Sequence, residues 1–122
     1  MSHSFQIKAR IHSIKFATKG IITMLRTQHN AWLHSLATVT VSICGIGVHL
    51  ARWEWCFVIL AIMAVWIAEA LNTALEFLAD VASPEFHPLV EKAKDVAAGA
   101  VLIAALGAVI IGLLIFWPHL II

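Results

Sequence analysis

The chain opens on a two-sided pattern. Over residues 4–27, Ile7, Ile11, Ile14, Thr18, Ile21 and Leu25 recur at three- and four-residue spacing, and Lys8, His12, Lys15, Lys19 and Arg26 follow on an adjacent stripe. This is the period of an amphipathic helix. A basic stripe beside an apolar one suits the headgroup boundary of a bilayer, where lysines meet anionic lipid. A helix packed on a protein partner would show the same pattern.

Beyond residue 30 the pattern changes to three long apolar runs. The first, 31–50, is the least hydrophobic, because His34, Ser35, Thr38, Thr40 and Ser42 make it partly polar. The second, 55–78, begins strongly apolar, and the third, 96–117, holds no charged residue. A span needs roughly 20 apolar residues. The pattern therefore predicts an all-α membrane protein, with a surface helix and three transmembrane helices in one domain covering 1–122.

Composition agrees. The 122 residues are 61% hydrophobic and 12% charged, where a soluble domain carries about 25% charged. A net charge of +1 gives no support for nucleic-acid binding. Lys8, Arg10, Lys15 and Lys19 break any stretch that could serve as a signal-peptide core. Cys44 and Cys56 lie in apolar surroundings and form no CxxC, so both are expected to be buried small hydrophobes.

The basic residues set an orientation. Five of the eight Lys and Arg precede residue 27, Lys92 and Lys94 precede the third span, and only Arg52 lies in the turn between the first two. Positive residues collect on the cytoplasmic side, so the N-terminus and the 80–95 loop are expected inside, the 50–54 turn and the C-terminus outside. Trp32 marks one boundary and Trp53, Trp55 and Trp117 the other. Ala100, Ala104, Ala108 and Gly112 form a small-residue stripe that lets helices approach closely. Three helices enclose little interior, so oligomerisation is expected.

The second run changes character after Ala68, at Glu69-Ala-Leu-Asn72-Thr-Ala-Leu-Glu76-Phe-Leu-Ala-Asp80. At 3.6 residues per turn, Glu69, Asn72, Glu76 and Asp80 share an arc of about 80° and about 16 Å of axis. An ionisable group inside a membrane helix costs about 2.5–3.5 kcal/mol on insertion scales. Three acids on one face therefore need cations, a metal or water. Across the proline-bounded turn Pro84-Glu85-Phe86-His87-Pro88, the residues Glu91, Lys94, Asp95 and Ala98 share a face of the third helix. Carboxylates, an asparagine and a lysine suit a magnesium-bound phosphate compound. No Walker, dinucleotide or protein-kinase motif is present. Residue chemistry alone reaches an acidic, metal-capable site at the membrane boundary. A structural ion-pair network at a subunit interface is the lesser alternative, and a transporter of a cation or a phosphorylated solute would fit the same facts.

The stretch from Glu69 to Asp80 resembles the E-x-x-N-[ST]-A-[IL]-E-x-x-x-D signature of the prokaryotic diacylglycerol kinase family. Ala93-Lys94-Asp95 with Val101-Leu102-Ile103 resembles its A-K-D-x-x-x-x-A-V-L-I segment. The likeness covers nearly the whole chain. It implies a homotrimeric, multi-pass enzyme of the bacterial cytoplasmic (inner) membrane that uses ATP and Mg²⁺ to phosphorylate a membrane lipid alcohol. By this resemblance Glu69 is the expected general base, Glu76 a metal ligand and Gln28 a second metal position. Arg10, Asn72, Glu76, Asp80, Glu85, His87, Lys94 and Asp95 are expected around the nucleotide. Asn30, His34 and Ala98 join Glu69 on the lipid side. A non-enzymatic oligomer, either cation-conducting or an inactive kinase scaffold, is the alternative.

Two branches of the family differ in their lipid. Arg26-Thr27-Gln28-His29-Asn30-Ala31-Trp32-Leu33-His34 looks like the segment preceding the first span in the undecaprenol kinase branch, and His87-Pro88-Leu89 and Lys94–Gly99 lean the same way. That favours undecaprenol over diacylglycerol. One departure stands out. The family usually has Glu where this chain has Gln28, which keeps a carbonyl oxygen but loses a charge.

Overall fold

A computed structural model of the chain describes residues 6–121, which form four helices. They are α1 (Ile7–Thr27), α2 (His29–Gly47), α3 (Arg52–Ala82) and α4 (Pro88–Leu120). Residues 4 and 5 of the expected surface helix lie outside the described residues. Along α1 the hydroxyls of Ser13, Thr18, Thr23 and Thr27 each donate to the carbonyl four residues back, at 2.7–3.0 Å. Ile7, Ile11 and Ile14 stand exposed on it, and only Met24 is buried.

One extended residue, Gln28, separates α1 from α2. The Trp32 indole reaches back over this break, and its Nε1–H donates to the Leu25 carbonyl at 2.6 Å. A carbonyl in the last turn of α1 has no partner within its own helix, so the indole ties the two helices at their corner. In α2, Ser35, Thr38 and Ser42 also donate back to carbonyls four residues earlier. Its polar hydroxyls are thus satisfied within the helix. Even so, only α3 and α4, among the described residues, are long and apolar enough to cross a membrane on composition alone.

Helix α2 ends in a Schellman motif. Leu50 N–H donates to Gly45 O at 3.1 Å and His49 N–H to Ile46 O at 3.2 Å, the two bonds that satisfy the last carbonyls. His49 takes the left-handed conformation, with φ 57°, where glycine is usual. Leu50 folds back onto Gly45, and the Trp55 ring lies across the same glycine. Trp55 is therefore turned inward rather than left at the boundary, as Trp53 and Trp117 are.

Helix α3 begins at Ala51, whose methyl group cannot cap. Glu54 supplies the missing half, with Oε1 accepting the Ala51 N–H at 2.9 Å. Its Oε2 meets His119 Nε2 at 2.9 Å, from the far end of α4. Leu50, Val58 and Ile115 form a small core beside this contact, with Trp55, Ile62, Ile111 and Phe116 packed around it. The 48–51 turn and the end of α4 thus lie together at one end of the bundle. The 83–87 turn lies at the other.

The third apolar helix starts earlier than its composition suggests. The apolar run opens at residue 96, with Glu91, Lys94 and Asp95 expected on the same helix ahead of it, and α4 begins at Pro88. Proline fits the first helical position, where its missing N–H costs nothing, and the His87 ring Nδ1 accepts the Leu89 N–H at 3.1 Å. Both ends of α3 and the end of α4 reach beyond the apolar runs at 55–78 and 96–117, whereas α2 stops at Gly47, short of residue 50. Helix α3 has 31 residues and α4 has 33. At 1.5 Å rise they run about 46 and 50 Å, beyond a hydrocarbon core of about 30 Å.

Exposed surface totals 9438 Å², against about 6,500 Å² for a soluble monomer of this mass. Leu60, Ile67, Ile103, Val109, Leu113 and Leu114 are among the side chains left outside. Cys44 and Cys56 also point outward, contrary to the expectation that they are buried. They lie on helix faces that the chain itself does not cover. In the small-residue stripe, Ala104, Ala108 and Gly112 are half-buried and Ala100 is exposed.

Gly45 makes the first quantitative prediction. A Cβ there would lie 2.6 Å from the Trp55 ring and 2.9 Å from Leu50. Overpacking of this kind costs about 1–3 kcal/mol. Gly45→Ala is therefore expected to lower stability by that amount in denaturant titration in detergent. Gly47→Ala, with open space around it, should stay within about 0.5 kcal/mol of the parent.

Candidate active site

Glu69 is the largest fully buried side chain among the described residues. It lies fourteen residues past Trp55, or about 21 Å along the axis. Its side chain is wholly shielded, in a helix apolar enough to cross a membrane. A carboxylate so placed needs partners, and α2 supplies one. His34 Nε2 approaches Glu69 Oε2 at 3.3 Å. Glu69 Oε1 has no partner, and neither has Asn72 Oδ1, one turn on.

The imidazole of His34 is held from several sides. It meets the Trp66 ring edge-on, with centroids 5.9 Å apart and planes at 72°. Trp66 Nε1–H donates to Thr38 Oγ1 at 3.0 Å, and the Thr38 hydroxyl donates to the His34 carbonyl at 2.7 Å. Trp66 and Glu69 are three residues apart on α3 and so share a face. Thr73 completes the cluster by donating to the Glu69 carbonyl at 2.8 Å.

A groove of about 280 Å³ leads from His34 between α2, α3 and α4. Its walls include Ala37, Val58, Ala61, Ala105 and Gly112, so small residues make the space and apolar atoms line it. A second hollow, of about 350 Å³, lies where Gly20 and Met24 of α1 face Ala70, Thr73 and Phe77 of α3.

The acidic face of α3 is graded by depth. Glu69 and Asn72 are buried, Glu76 is half-buried and Asp80 is exposed. Beyond the turn Glu85, His87, Asp95 and Ala98 are exposed and Lys94 is half-buried. The α3–α4 hairpin brings these residues to one end of the bundle. It does not join them within the chain, because the two ion pairs found among the described residues are His34–Glu69 and His119–Glu54. Gln28 is half-buried at the α1–α2 corner and donates to Thr27 Oγ1 at 3.2 Å. Asn30 and Arg10 are exposed. Among the described residues no three His, Cys, Asp or Glu side chains lie close enough to hold a metal by themselves. The donors that remain, a carboxylate at Glu76 and an amide oxygen at Gln28, suit an ion such as Mg²⁺, which takes few protein ligands and is carried largely by phosphate oxygens.

Two features escaped the sequence reading. Thr38 was visible only as one more polar residue, and its link to Trp66 had no signal in spacing. Glu54 did have one, since it stands three residues after the helix start as in a capping box. The alanine at the cap position concealed it.

A helical membrane chain with a buried carboxylate beside an apolar groove has the parts expected of an enzyme acting on lipids. Residues 15–116 match the family model described as prokaryotic diacylglycerol kinase, and the chain belongs to that family of lipid kinases. It is 41% identical to the undecaprenol kinase of Bacillus subtilis (strain 168), over 97% of this chain and 96% of the relative. It is 38% identical to a diacylglycerol kinase of Synechocystis sp., over 88% of this chain and 62% of the relative. With the diacylglycerol kinase of Escherichia coli (strain K12) the identity is 32%, over 91% of this chain and 79% of the relative.

Proposed function

We propose that this chain transfers the γ-phosphate of MgATP to the hydroxyl of a membrane lipid alcohol at the cytoplasmic interface, with undecaprenol preferred to diacylglycerol. The observation that carries this reading is the Glu69 carboxylate, buried beside an apolar groove with one oxygen unpaired. Membership of a lipid kinase family and the 41% identity to an undecaprenol kinase support it.

Phosphoryl transfer to an alcohol asks a protein mainly for positioning and charge stabilisation. Glu69 accepts the hydroxyl proton as the lipid oxygen attacks. Asn72, Asp80, Glu85, His87, Lys94, Asp95 and Arg10 surround the nucleotide, and Lys94 meets its phosphates as a point charge. Asn30, His34 and Ala98 lie on the lipid side. Glu76 and Gln28 would hold Mg²⁺ beside the phosphates, where the ion would offset their charge.

Helix α2 is the third span in this reading. Its polar face then needs protein rather than lipid beside it, and three copies of the chain enclose it as a homotrimer. The clustering of basic residues on α1 and at Lys92 and Lys94 supports a cytoplasmic N-terminus.

The lipid is tested by competition. Undecaprenol and diacylglycerol are offered at equal mole fraction in mixed micelles with MgATP, and undecaprenol is expected to show the larger kcat/KM. Equal or greater efficiency with diacylglycerol reverses the order. Phosphorylation of neither favours a non-enzymatic oligomer.

The base is tested by Glu69→Gln. The variant is expected to fold and bind ATP while turnover falls at least about 100-fold, the low end for loss of a general base. Turnover within threefold of the parent would remove Glu69 from that role.

Gln28→Glu tests the metal. An added carboxylate strengthens attraction for a hard cation, so the Mg²⁺ concentration giving half-maximal rate should fall while the lipid KM holds. An unchanged midpoint in a titration against free Mg²⁺ places residue 28 away from the metal.

A further inference from the structure

The His34–Glu69 pair, of which His34 lines the groove, is asymmetric. One carboxylate oxygen of Glu69 is engaged and the other is not. Oε2 faces His34 Nε2 at 3.3 Å, whereas Oε1 is buried with no partner at all. We propose that His34 is a positioning residue for phosphoryl transfer. Its Nε2–H holds Oε2, and this leaves Oε1 as the oxygen that takes the proton of the lipid hydroxyl.

The inference rests on the kinase reading and on four observations. An ionised carboxylate only accepts hydrogen bonds, so a contact with an imidazole nitrogen places the hydrogen on that nitrogen. The 3.3 Å separation is at the long end for N–H···O, as is common before substrate tightens a catalytic contact. Apart from Glu69, the ring meets Trp66 edge-on, and Trp66 is itself held by its hydrogen bond to Thr38. Finally, His34 lines the apolar groove on one side and contacts the carboxylate with its ring. A lipid chain lying in that groove brings its hydroxyl end to Glu69 from the same side. Asn72 Oδ1, the second unpaired buried oxygen, lies one turn further along α3, toward the end where the nucleotide-side residues gather.

In the step itself, the lipid oxygen forms a bond to the γ-phosphorus of ATP while the bond from that phosphorus to the β,γ-bridging oxygen breaks. The hydroxyl proton passes to Glu69 Oε1, and ADP leaves with the electron pair. His34 gains and loses nothing. It fixes the carboxylate rotamer, and a displacement of about 1 Å in such a group can cost about 100-fold in rate.

The test compares three variants with the parent, using MgATP and a lipid alcohol in mixed micelles. His34→Leu removes the donor, and kcat is expected to fall about 100-fold with the MgATP KM within about twofold. His34→Gln keeps an N–H donor but cannot exchange protons near neutral pH, and it should recover to within about fivefold of the parent. Adding His34→Leu to Glu69→Gln should cost nothing further, because a residue acting only through Glu69 has nothing left to position. A Gln variant as slow as the Leu variant overturns the proposal, as does a further loss in the Glu69→Gln background. If His34→Leu does not fold, His34→Ala takes its place. Failure of both to fold would make His34 a structural residue and equally overturn the proposal. A parent that phosphorylates neither undecaprenol nor diacylglycerol removes the kinase reading and this inference with it. An active parent with an unrescued variant removes this inference alone.

Discussion

A polar group carried into hydrocarbon must find its partner inside the protein, and this chain is built around that requirement. The simplest answers are local. Seven Ser and Thr hydroxyls on α1 and α2 return to carbonyls one turn back. Others bridge elements, with Trp32 to the end of α1, Trp66 to Thr38 and Glu54 to both Ala51 and His119. Against this background of satisfied groups, the unpaired oxygens of Glu69 and Asn72 stand out. In the kinase reading proposed above, that unmatched pair faces the substrates.

The packing has the same economy. The apolar core among the described residues is small and lies at one end, around Leu50, Val58 and Ile115. Most large apolar side chains face outward, which no aqueous protein of this size could sustain. These faces are left for neighbours outside the single chain. Glu76, Asp80, Lys94 and Asp95 share an end of the bundle and form no ion pair within it. In the trimeric reading proposed above, a neighbouring subunit closes the space around them.

Much of this was legible in the sequence, and the limits have physical causes. Apolar run length found α3 and α4, and the polar stripe from Glu69 to Asp80 fell on one face because helical geometry leaves no alternative. The start of α4 at Pro88 carries no apolar signal, and proline, a breaker inside a helix, is a starter at its first position. Helix α2 is ambiguous by composition, since its hydroxyls look costly until their back-bonding is seen. The cysteines were misjudged because apolar neighbours in sequence imply burial in water and only exposure to lipid in a bilayer. His34 could be placed on the lipid side by resemblance. Its contact with Glu69, thirty-five residues away, depends on how α2 leans on α3, and no periodicity encodes that.

The Schellman turn after α2 has a mechanical side. Gly45, Leu50 and the Trp55 ring lock that corner, and Glu54 and His119 fasten the neighbouring helix end to it. At the opposite end of α2 the chain turns through the single residue Gln28. Such a helix is a lever with a fixed fulcrum. His34 lies about 20 Å from that fulcrum, so a tilt of about 5° carries its ring sideways by about 1.7 Å. The Trp66–Thr38 and His34–Glu69 contacts stand where such a swing would be large. The few bonds between α2 and α3 thus hold the long arm of the lever, while the glycine corner holds its short end.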